Sequence, residues 1–439
     1  AIGEWRNTVV VFTSDNGASR EGRADGTTAY FRTLIGETRP NPLDSTEVDH
    51  ERLDLIGGPQ TLAHYPQGWA MASGTPFRLY KINTHQGGHQ VPLIVSRGAG
   101  LPDGGSFRCQ YQHITDVLPT VLELAGVELP EERHGRPVPP PAGTSFAPSL
   151  EDSAKPSTHP EQYYEQWGHR GMYRDGWSAV TCHQRRTRFS EDTWELYHLD
   201  TDPTETHDLA AEEPAKLVEL QEAWEKAAWK NQVFPLDEGA NLVHLVRPPW
   251  EEDLEEVQIF YPGTPTVERY RAYKLINFRS FEVRVALDHR DGDQGMLVAH
   301  GDQGGGYALY VEAGRLFHVH NGYGTMTEVD CGPMADGTSE VVLAVEAAGD
   351  LVWNTVVRVE GATVAETPGL AVLMAMAPFE GIDVGIDRRS PVSWSVYERH
   401  GPFPYSGTLH SVTYLPGEFA PDAGPLWLDV LRETAVRYE

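Results

Sequence analysis

The amino-acid sequence predicts an α/β region, a small antiparallel α+β subdomain and a C-terminal all-β sandwich, in that order along the chain. Three observations predict this: an apolar strand that ends in a polar loop, one amphipathic helix that follows short strands, and a long C-terminal stretch of alternating apolar residues. The predicted boundaries are residues 1–150, 151–245 and 246–439. At 439 residues with 40% hydrophobic content, the chain is long enough for two or three cores.

The α/β region begins with a strand over residues 9–17, which read VVVFTSDNG. A run of β-branched and aromatic residues is typical of a buried parallel strand, and ligands bind just beyond the carboxyl ends of such strands. Asp15 and Asn16 offer oxygen ligands for a hard cation such as calcium or magnesium, and Gly17 allows a sharp turn. Taken alone, Asp-Asn-Gly more often marks a simple turn, so the metal-site hypothesis needs support from other segments.

A second polar loop precedes another apolar strand in residues 80–95, which read YKINTHQGGHQVPLIV. Two polar loops attached to apolar strands are what a doubly wound sheet with one shared site would contain. Farther along, apolar residues spaced by three and four predict a helix that begins after Asp116 and ends at Gly126.

Four segments in this order resemble the second half of a sulfatase of the alkaline phosphatase superfamily. They are the two loops above, residues 113–120 (HITDVLPT) and residues 194–205 (WELYHLDTDPTE). The resemblance implies that the α/β region is the second half of the sulfatase core. It also implies sulfate ester hydrolysis, with aryl sulfates as substrates, by a calcium- and formylglycine-dependent mechanism.

Residue by residue, the resemblance implies that Asp15 and Asn16 complete a calcium site and that Lys81 binds the sulfate group and acts in catalysis. His85 and His89 flank the Gly-Gly turn and are candidates for substrate contact, with His85 also a candidate proton donor to the leaving group. His169 is a further candidate near the cleft, although its aromatic neighbours fit plain packing equally well.

The formylglycine nucleophile is not expected in this chain. In sulfatases it is made from Cys or Ser in a Cys/Ser-x-Pro-x-Arg sequence, and none of Cys109, Cys182 and Cys331 has Pro and Arg at the required offsets. The resemblance therefore implies a C-terminal portion of a longer enzyme, whose N-terminal half would be its partner and would supply the nucleophile and further metal ligands. We expect the chain alone to be inactive.

Charge and cysteine content narrow the possible partners and compartment. A formal net charge of −29 argues against nucleic acid or an anionic membrane as a partner, and no apolar run is long enough to span a membrane. The expected ligand is a sulfate ester, either a small molecule or a glycan. Three cysteines without a disulfide pattern favour a reducing compartment such as the cytoplasm.

The second and third predicted regions are indicated by a helix pattern and by a pattern of alternating strand residues. Pro214 suits the first turn of a helix whose apolar stripe comprises Leu217, Leu220, Trp224 and Ala228. After a linker at residues 247–250, which read RPPW, alternating apolar residues predict the sandwich, as at Phe281, Val283, Val285 and Leu287. This stretch resembles the concanavalin-like jelly roll of some bacterial arylsulfatases, which implies either glycan binding or packing against the catalytic region.

Two alternatives remain open. A phosphonate or phosphodiester hydrolase of the same superfamily would share the metal site and differ in the residues that contact the charged group. A non-catalytic glycan-binding fragment would explain the lack of a nucleophile, but it would have no use for Asp15, Asn16 and Lys81.

Overall fold

The computed structural model describes residues 3–30, 46–102, 104–185, 187–236, 253, 255–373 and 377–424. The predicted boundary at residues 245/246 and the linker at 247–250 lie outside the described residues. In chain order, the α-helices are α1 Thr46–Glu51, α2 Gln67–Gly74, α3 Gln86–His89, α4 Val117–Ala125, α5 Ala147–Glu151, α6 Pro214–Lys230, α7 Arg269–Lys274 and α8 Trp394–His400.

The strands follow the same order along the chain. They are β1 Val9–Thr13, β2 Leu93–Arg97, β3 Glu132–Arg133, β4 Arg136–Pro137, β5 Glu161–Gln166, β6 His169–Arg174, β7 Trp177–Thr181, β8 Trp194–His198, β9 Gln258–Phe260, β10 Arg279–Asp288, β11 Gly295–Asp302, β12 Gly305–Glu312, β13 Arg315–Gly322, β14 Thr325–Pro333, β15 Glu340–Gly349, β16 Val352–Val359, β17 Ala362–Ala371, β18 Ile382–Val384 and β19 Thr408–Phe419.

The chain divides into two compact units. The first unit comprises the described residues within 3–19 and 68–236, and the second unit comprises those within 20–67 and 253–424. Within the described ranges, no helix is both long and apolar enough to cross a membrane.

In the first unit, β1 pairs with β2 in an antiparallel register, with Val9 opposite Arg97 and Thr13 opposite Leu93. The prediction that β1 is a buried parallel strand is therefore wrong for this pair, and its side chains alternate between half-buried and exposed, as with exposed Phe12. Residue type favours a strand but does not fix the direction of its neighbour. Because antiparallel strands run in opposite directions, the end of β1 and the start of β2 lie at the same end of the pair.

Helix α4 has the predicted boundaries. It starts directly after Asp116 and ends at Gly126, whose φ of 65° is the left-handed conformation that glycine adopts without strain. The Asp116 carboxylate does not cap α4, however. It accepts hydrogen bonds from the backbone N–H groups of His113 at 2.7 Å and Thr144 at 2.8 Å, and so joins two loops.

Strands β5 to β8 form a four-stranded antiparallel sheet in sequence order, and α6 packs on it. Pro214 is the first residue of α6, as predicted, where its missing N–H costs no helical hydrogen bond. The predicted stripe is also confirmed: Leu220, Trp224 and Ala228 are buried in one core with Leu196, and Leu217 packs against it.

The second unit contains two antiparallel sheets that share one hydrophobic core. Their strand orders are β17-β16-β15-β10-β19-β9 and β14-β13-β12-β11-β18. The predicted alternation in β10 is confirmed, because Phe281, Val283, Val285 and Leu287 are buried in that core. Strand β12 is buried on both faces, since Ala308 and Tyr310 pack in a second cluster with Val396 of α8. The jelly-roll assignment stays a prediction.

Candidate active site

The structure brings the two polar loops of the first unit together through their backbones. The N–H of Gly17 donates to the carbonyl of Gly88, and the N–H of Lys81 donates to the carbonyl of Ala18, both at 2.9 Å. The approach is so close that a Cβ at Gly17 would lie 1.9 Å from the carbonyl oxygen of Gly87. Glycine is therefore required at position 17 by this close approach and not by the conformation of the turn, since its φ lies outside the left-handed region.

Asp15 and Asn16 lie in the bend that follows β1. The Asp15 side chain is exposed, and Asn16 is half-buried with its Nδ2 donating to the Gly17 carbonyl at 2.8 Å. A carboxylate and an amide oxygen are the donor types that calcium takes, so both residues fit a hard cation. Together they supply one negative charge, and the described part of the chain contains no group of three or more His, Cys, Asp or Glu side chains that could hold a metal. A complete calcium site would need additional ligands.

Lys81 lies in a strained turn. Its neighbours Leu79 and Ile82 have φ angles of 61° and 84°, a left-handed conformation that is unfavourable for side chains with a Cβ and most unfavourable for β-branched Ile82. Such a conformation costs on the order of 1–3 kcal/mol and persists only where surrounding contacts impose it. The loop contacts described above and a buried network beneath the turn supply those contacts.

His85 is the centre of that network. It is completely buried, with its Nε2 3.1 Å from Glu195 Oε2 and its Nδ1 3.7 Å from Cys182 Sγ. Glu195 also accepts hydrogen bonds from Arg78 Nη1 at 2.9 Å and from the Tyr197 hydroxyl. The carboxylate of Glu195 therefore joins the turn before Lys81 to the buried ring of His85.

The contacts between His85 and Glu195 shift the pKa values of both groups. Burial alone would lower the pKa of His85, but hydrogen bonds to Cys182 and Glu195 and the charge of Glu205 together raise that pKa to about 9. The hydrogen bond from His85, followed by that from Tyr197 and the charge of Arg78, outweighs burial and lowers the pKa of Glu195 to about 2. At neutral pH the pair is an imidazolium and a carboxylate.

Glu205 lies beneath the Gly-Gly turn. It is buried, and its Oε2 accepts a hydrogen bond from the backbone N–H of Gln86 at 2.9 Å. Burial raises the pKa of this carboxyl to about 7, because a single backbone donor and the nearby charges of His85 and Arg78 only partly compensate for the loss of water.

The structure places the other two predicted histidines in packing contacts. His89 stacks on Tyr164 with ring centroids 4.3 Å apart, and its Nε2 donates to the Thr84 carbonyl at 2.9 Å. Burial lowers the pKa of His89 to about 4, so the ring is neutral at pH 7. His169 lies at the start of β6, where its Nδ1 accepts a hydrogen bond from the backbone N–H of His183 at 3.0 Å. The substrate-contact roles of His85, His89 and His169 stay predictions.

Sequence reasoning did not assign roles to five residues that support the loop. Glu195, Tyr197 and Glu205 lie in the segment quoted for the resemblance, so their location, though not their contacts, was visible. The roles of Arg78 and Cys182 could not be predicted from local sequence, because each contacts a residue of the network that is about one hundred positions away in the chain.

Comparisons with known proteins agree with the sulfatase resemblance. A model of the Sulfatase family matches residues 1–127, and a model of the C-terminal region of N-sulphoglucosamine sulphohydrolase matches residues 80–231. An uncharacterized sulfatase of Schizosaccharomyces pombe is 30% identical over 227 residues, which cover 51% of this chain and 38% of that protein. An arylsulfatase of Klebsiella aerogenes is 29% identical over 146 residues, which cover 33% of this chain and 28% of that protein.

A solved structure from work on the metabolism of multiple glycosaminoglycans by Bacteroides thetaiotaomicron covers 51% of this chain and 39% of that chain, with 19% identity and a TM-score of 0.33. The two family models place the similarity to sulfatases within residues 1–231, and the curated relatives named above are a sulfatase and an arylsulfatase. The chain spans less than two fifths of the length of the curated sulfatases described above.

Proposed function

We propose that the first unit supplies one side of the calcium and sulfate site of an arylsulfatase that uses a formylglycine nucleophile. The observation that carries this proposal is the direct backbone contact between the Asp15-Asn16-Gly17 turn and the loop that contains Lys81. The two turns joined by this contact carry a carboxylate, an amide and an ammonium group, which supports the proposal. We further propose that this chain is the C-terminal portion of the enzyme and that the nucleophile lies in its N-terminal half.

Each residue has a defined task in this proposal. Asp15 and Asn16 would hold calcium through side-chain oxygens, and calcium supplies positive charge that offsets the sulfate group and orients it. Lys81 pairs with sulfate oxygens and stabilises the negative charge that develops on the leaving oxygen, a task suited to a compact ammonium. Because the chain has a net charge of −29, a local cation matters for admitting an anionic ester.

The network beneath the turn keeps Lys81 in place. Arg78 anchors the chain before Lys81 to Glu195, and His85 anchors the chain after it to the same carboxylate. Glu205 binds the backbone of the following Gly-Gly turn. In this proposal Arg78, Glu195 and Glu205 act on the substrate only through the loop, so they are positioning residues, and His85 holds the loop in addition to the substrate contact predicted for it.

The test is an assay of the complete polypeptide from the gene that encodes this chain, with 4-nitrophenyl sulfate as substrate and calcium in the buffer. We expect Lys81→Ala to lower kcat about 10²–10³-fold, the usual effect of removing one group that stabilises transition-state charge. Lys226→Ala is the matched control, since Lys226 is an exposed lysine on α6, and its activity should equal that of the unmodified enzyme.

Three outcomes would change the proposal. Equal activity of the Lys81→Ala and Lys226→Ala variants would remove the sulfate-binding role of Lys81. Faster turnover of a phosphonate monoester or phosphodiester than of 4-nitrophenyl sulfate would favour the phosphonate or phosphodiester hydrolase. Turnover by residues 1–439 alone would contradict the assignment of the nucleophile to another part of the enzyme.

For the second unit we propose glycan binding on the outer face of the six-stranded sheet. A groove of 430 Å³ lies there, and its polar side chains are Ser280, Glu282, Glu346, Asn354 and Arg358. Carboxylate, amide and guanidinium groups together can bind sugar hydroxyls. Calorimetric titration with neutral oligosaccharides should give binding that Asn354→Ala weakens and that Glu398→Ala, at an exposed site on α8, does not. Absence of binding would favour a packing role instead.

A further inference from the structure

Cys182 forms an arrangement that the sulfatase proposal does not use. This residue directly follows β7 and is exposed, and its Sγ lies 3.7 Å from His85 Nδ1 and 3.6 Å from Asn83 Oδ1. The opposite nitrogen of the same imidazole, Nε2, lies 3.1 Å from Glu195 Oε2. A thiol, an imidazole and a carboxylate are thus arranged in series, with the thiol at the surface and the imidazole buried.

The charges around this series favour the imidazolium form of His85. Glu195 stabilises the imidazolium form of His85, and Arg78 and Tyr197 hold Glu195 in place through hydrogen bonds. Glu205 adds a further carboxyl near the ring, and its charge also favours the imidazolium. An imidazolium in contact with sulfur stabilises the thiolate, which is the reactive form of cysteine.

We propose that Cys182 is an activated thiol that reacts with hydroperoxides and other soft electrophiles. With a hydroperoxide, the thiolate sulfur attacks one oxygen, the S–O bond forms and the O–O bond breaks. The departing hydroxide or alkoxide takes the proton held on His85 and leaves as water or an alcohol. Sulfur loses two electrons to the peroxide and becomes a sulfenic acid. This inference does not depend on sulfate hydrolysis, since the reacting group, Cys182, is assigned to neither the substrate nor the cation.

The chain contains its own control thiols. Cys109 is also free and exposed, whereas Cys331 is free and buried. The experiment treats the folded full chain with iodoacetamide for short times between pH 6 and 9 and measures alkylation of each cysteine by peptide mass spectrometry. Sulfur displaces iodide from carbon in this reaction, so its rate reports the amount of accessible thiolate.

We expect Cys182 to react at least about 10-fold faster than Cys109 at pH 6.5, as thiols paired with an imidazolium do. The rate at Cys182 should change little between pH 6.5 and 8, whereas the rate at Cys109 should rise steeply. Equal rates with the same pH dependence at the two exposed cysteines would overturn the proposal.

Two further measurements separate activation from simple exposure. Glu195→Gln should reduce the rate at Cys182 to that at Cys109, and Glu219→Gln, on the exposed side of α6, should not. If Glu195→Gln does not fold, the pH profile of the unmodified chain still decides the question. After hydrogen peroxide treatment, dimedone should label Cys182 and not Cys109, and labelling of both to the same extent would contradict the hydroperoxide step.

Discussion

Two buried histidines of the first unit and three of the second behave in opposite ways. In the first unit, His85 contacts Glu195 and its pKa is raised to about 9, and His159 contacts Asp116, whose hydrogen bond raises the pKa of His159. In the second unit, burial lowers the pKa of His300, His318 and His320 to about 3, 3 and 4. The difference lies in the partner: the carboxylates beside His85 and His159 raise the pKa of these imidazoles, and burial without such a partner lowers the pKa of the other three.

The same rule operates within the first unit. His89 is only four residues from His85, but its partner is the carbonyl of Thr84, and the pKa of His89 is lowered to about 4. Charge is therefore concentrated on the residues that hold the loop around Lys81. In the second unit, His300, His318 and His320 are neutral core side chains, and His300 Nδ1 lies 2.9 Å from the Tyr307 hydroxyl.

Acid should destabilise the second unit through its neutral histidines, which is the largest effect we expect. A folded pKa below the unfolded value means that the unfolded chain binds more protons, so the stability is present above about pH 6.5 and is lost as pH falls. Between pH 7 and 5, each of His300, His318 and His320 should cost about 2 kcal/mol of the free energy of unfolding.

Asp387 opposes this trend, because burial raises the pKa of its carboxyl to about 8. The test therefore compares the unmodified chain with the His300→Phe variant. For both proteins, the free energy of unfolding is measured by urea denaturation, followed by proteolysis and mass spectrometry of peptides from β11 to β13. The acid sensitivity should be smaller in the variant, and an identical change with pH in both proteins would show that His300 is not held neutral.

Alkali should instead destabilise the first unit through His85. Its folded pKa lies above the unfolded value, so its contribution is fully present below about pH 6.5 and is lost as pH rises through 9. The free energy of unfolding should fall by about 3 kcal/mol between pH 6 and 10. In the Glu195→Gln variant, the free energy of unfolding measured on peptides from residues 78–90 should depend less on pH. A pH dependence as steep as in the unmodified chain would argue against the ion pair.

Glu205 should give a somewhat smaller effect in a lower pH window. Its raised pKa means that stability falls as pH rises from about 4.5 to 7, where the buried carboxyl loses its proton. Glu205→Gln cannot ionise and keeps an acceptor for the Gln86 N–H. Relative to the unmodified chain, the free energy of unfolding of this variant should increase by about 2 kcal/mol between pH 5 and 8. The same peptide-resolved urea denaturation measures this gain, and no gain would mean that Glu205 is already ionised at pH 5.

An exposed ion pair should show the smallest effect. Arg284 Nη2 lies 2.7 Å from Glu282 Oε2 on the solvent-facing side of β10. Since water screens both charges, Arg284→Ala should change the free energy of unfolding by less than about 1 kcal/mol. A loss as large as that of the buried network, measured by urea denaturation, would break the distinction between buried and exposed charge.

Local signals predicted much of the fold, whereas long-range contacts escaped prediction. Gly126, Pro214 and the stripe of α6 act within one helix, so spacing alone revealed them. The meeting of the two loops followed from the resemblance and from the position of each loop next to a strand. The antiparallel pairing of β1 and the contact of Cys182 with His85 depend on chain direction and on residues far apart in sequence, which no local pattern records.

The most direct test is a crystal structure of the complete polypeptide grown with calcium and inorganic sulfate. We expect a cation in contact with side-chain oxygens of Asp15 and Asn16, and a sulfate oxygen within hydrogen-bond distance of Lys81 Nζ. A cation and a sulfate bound elsewhere, with these three side chains in contact with solvent alone, would contradict this expectation.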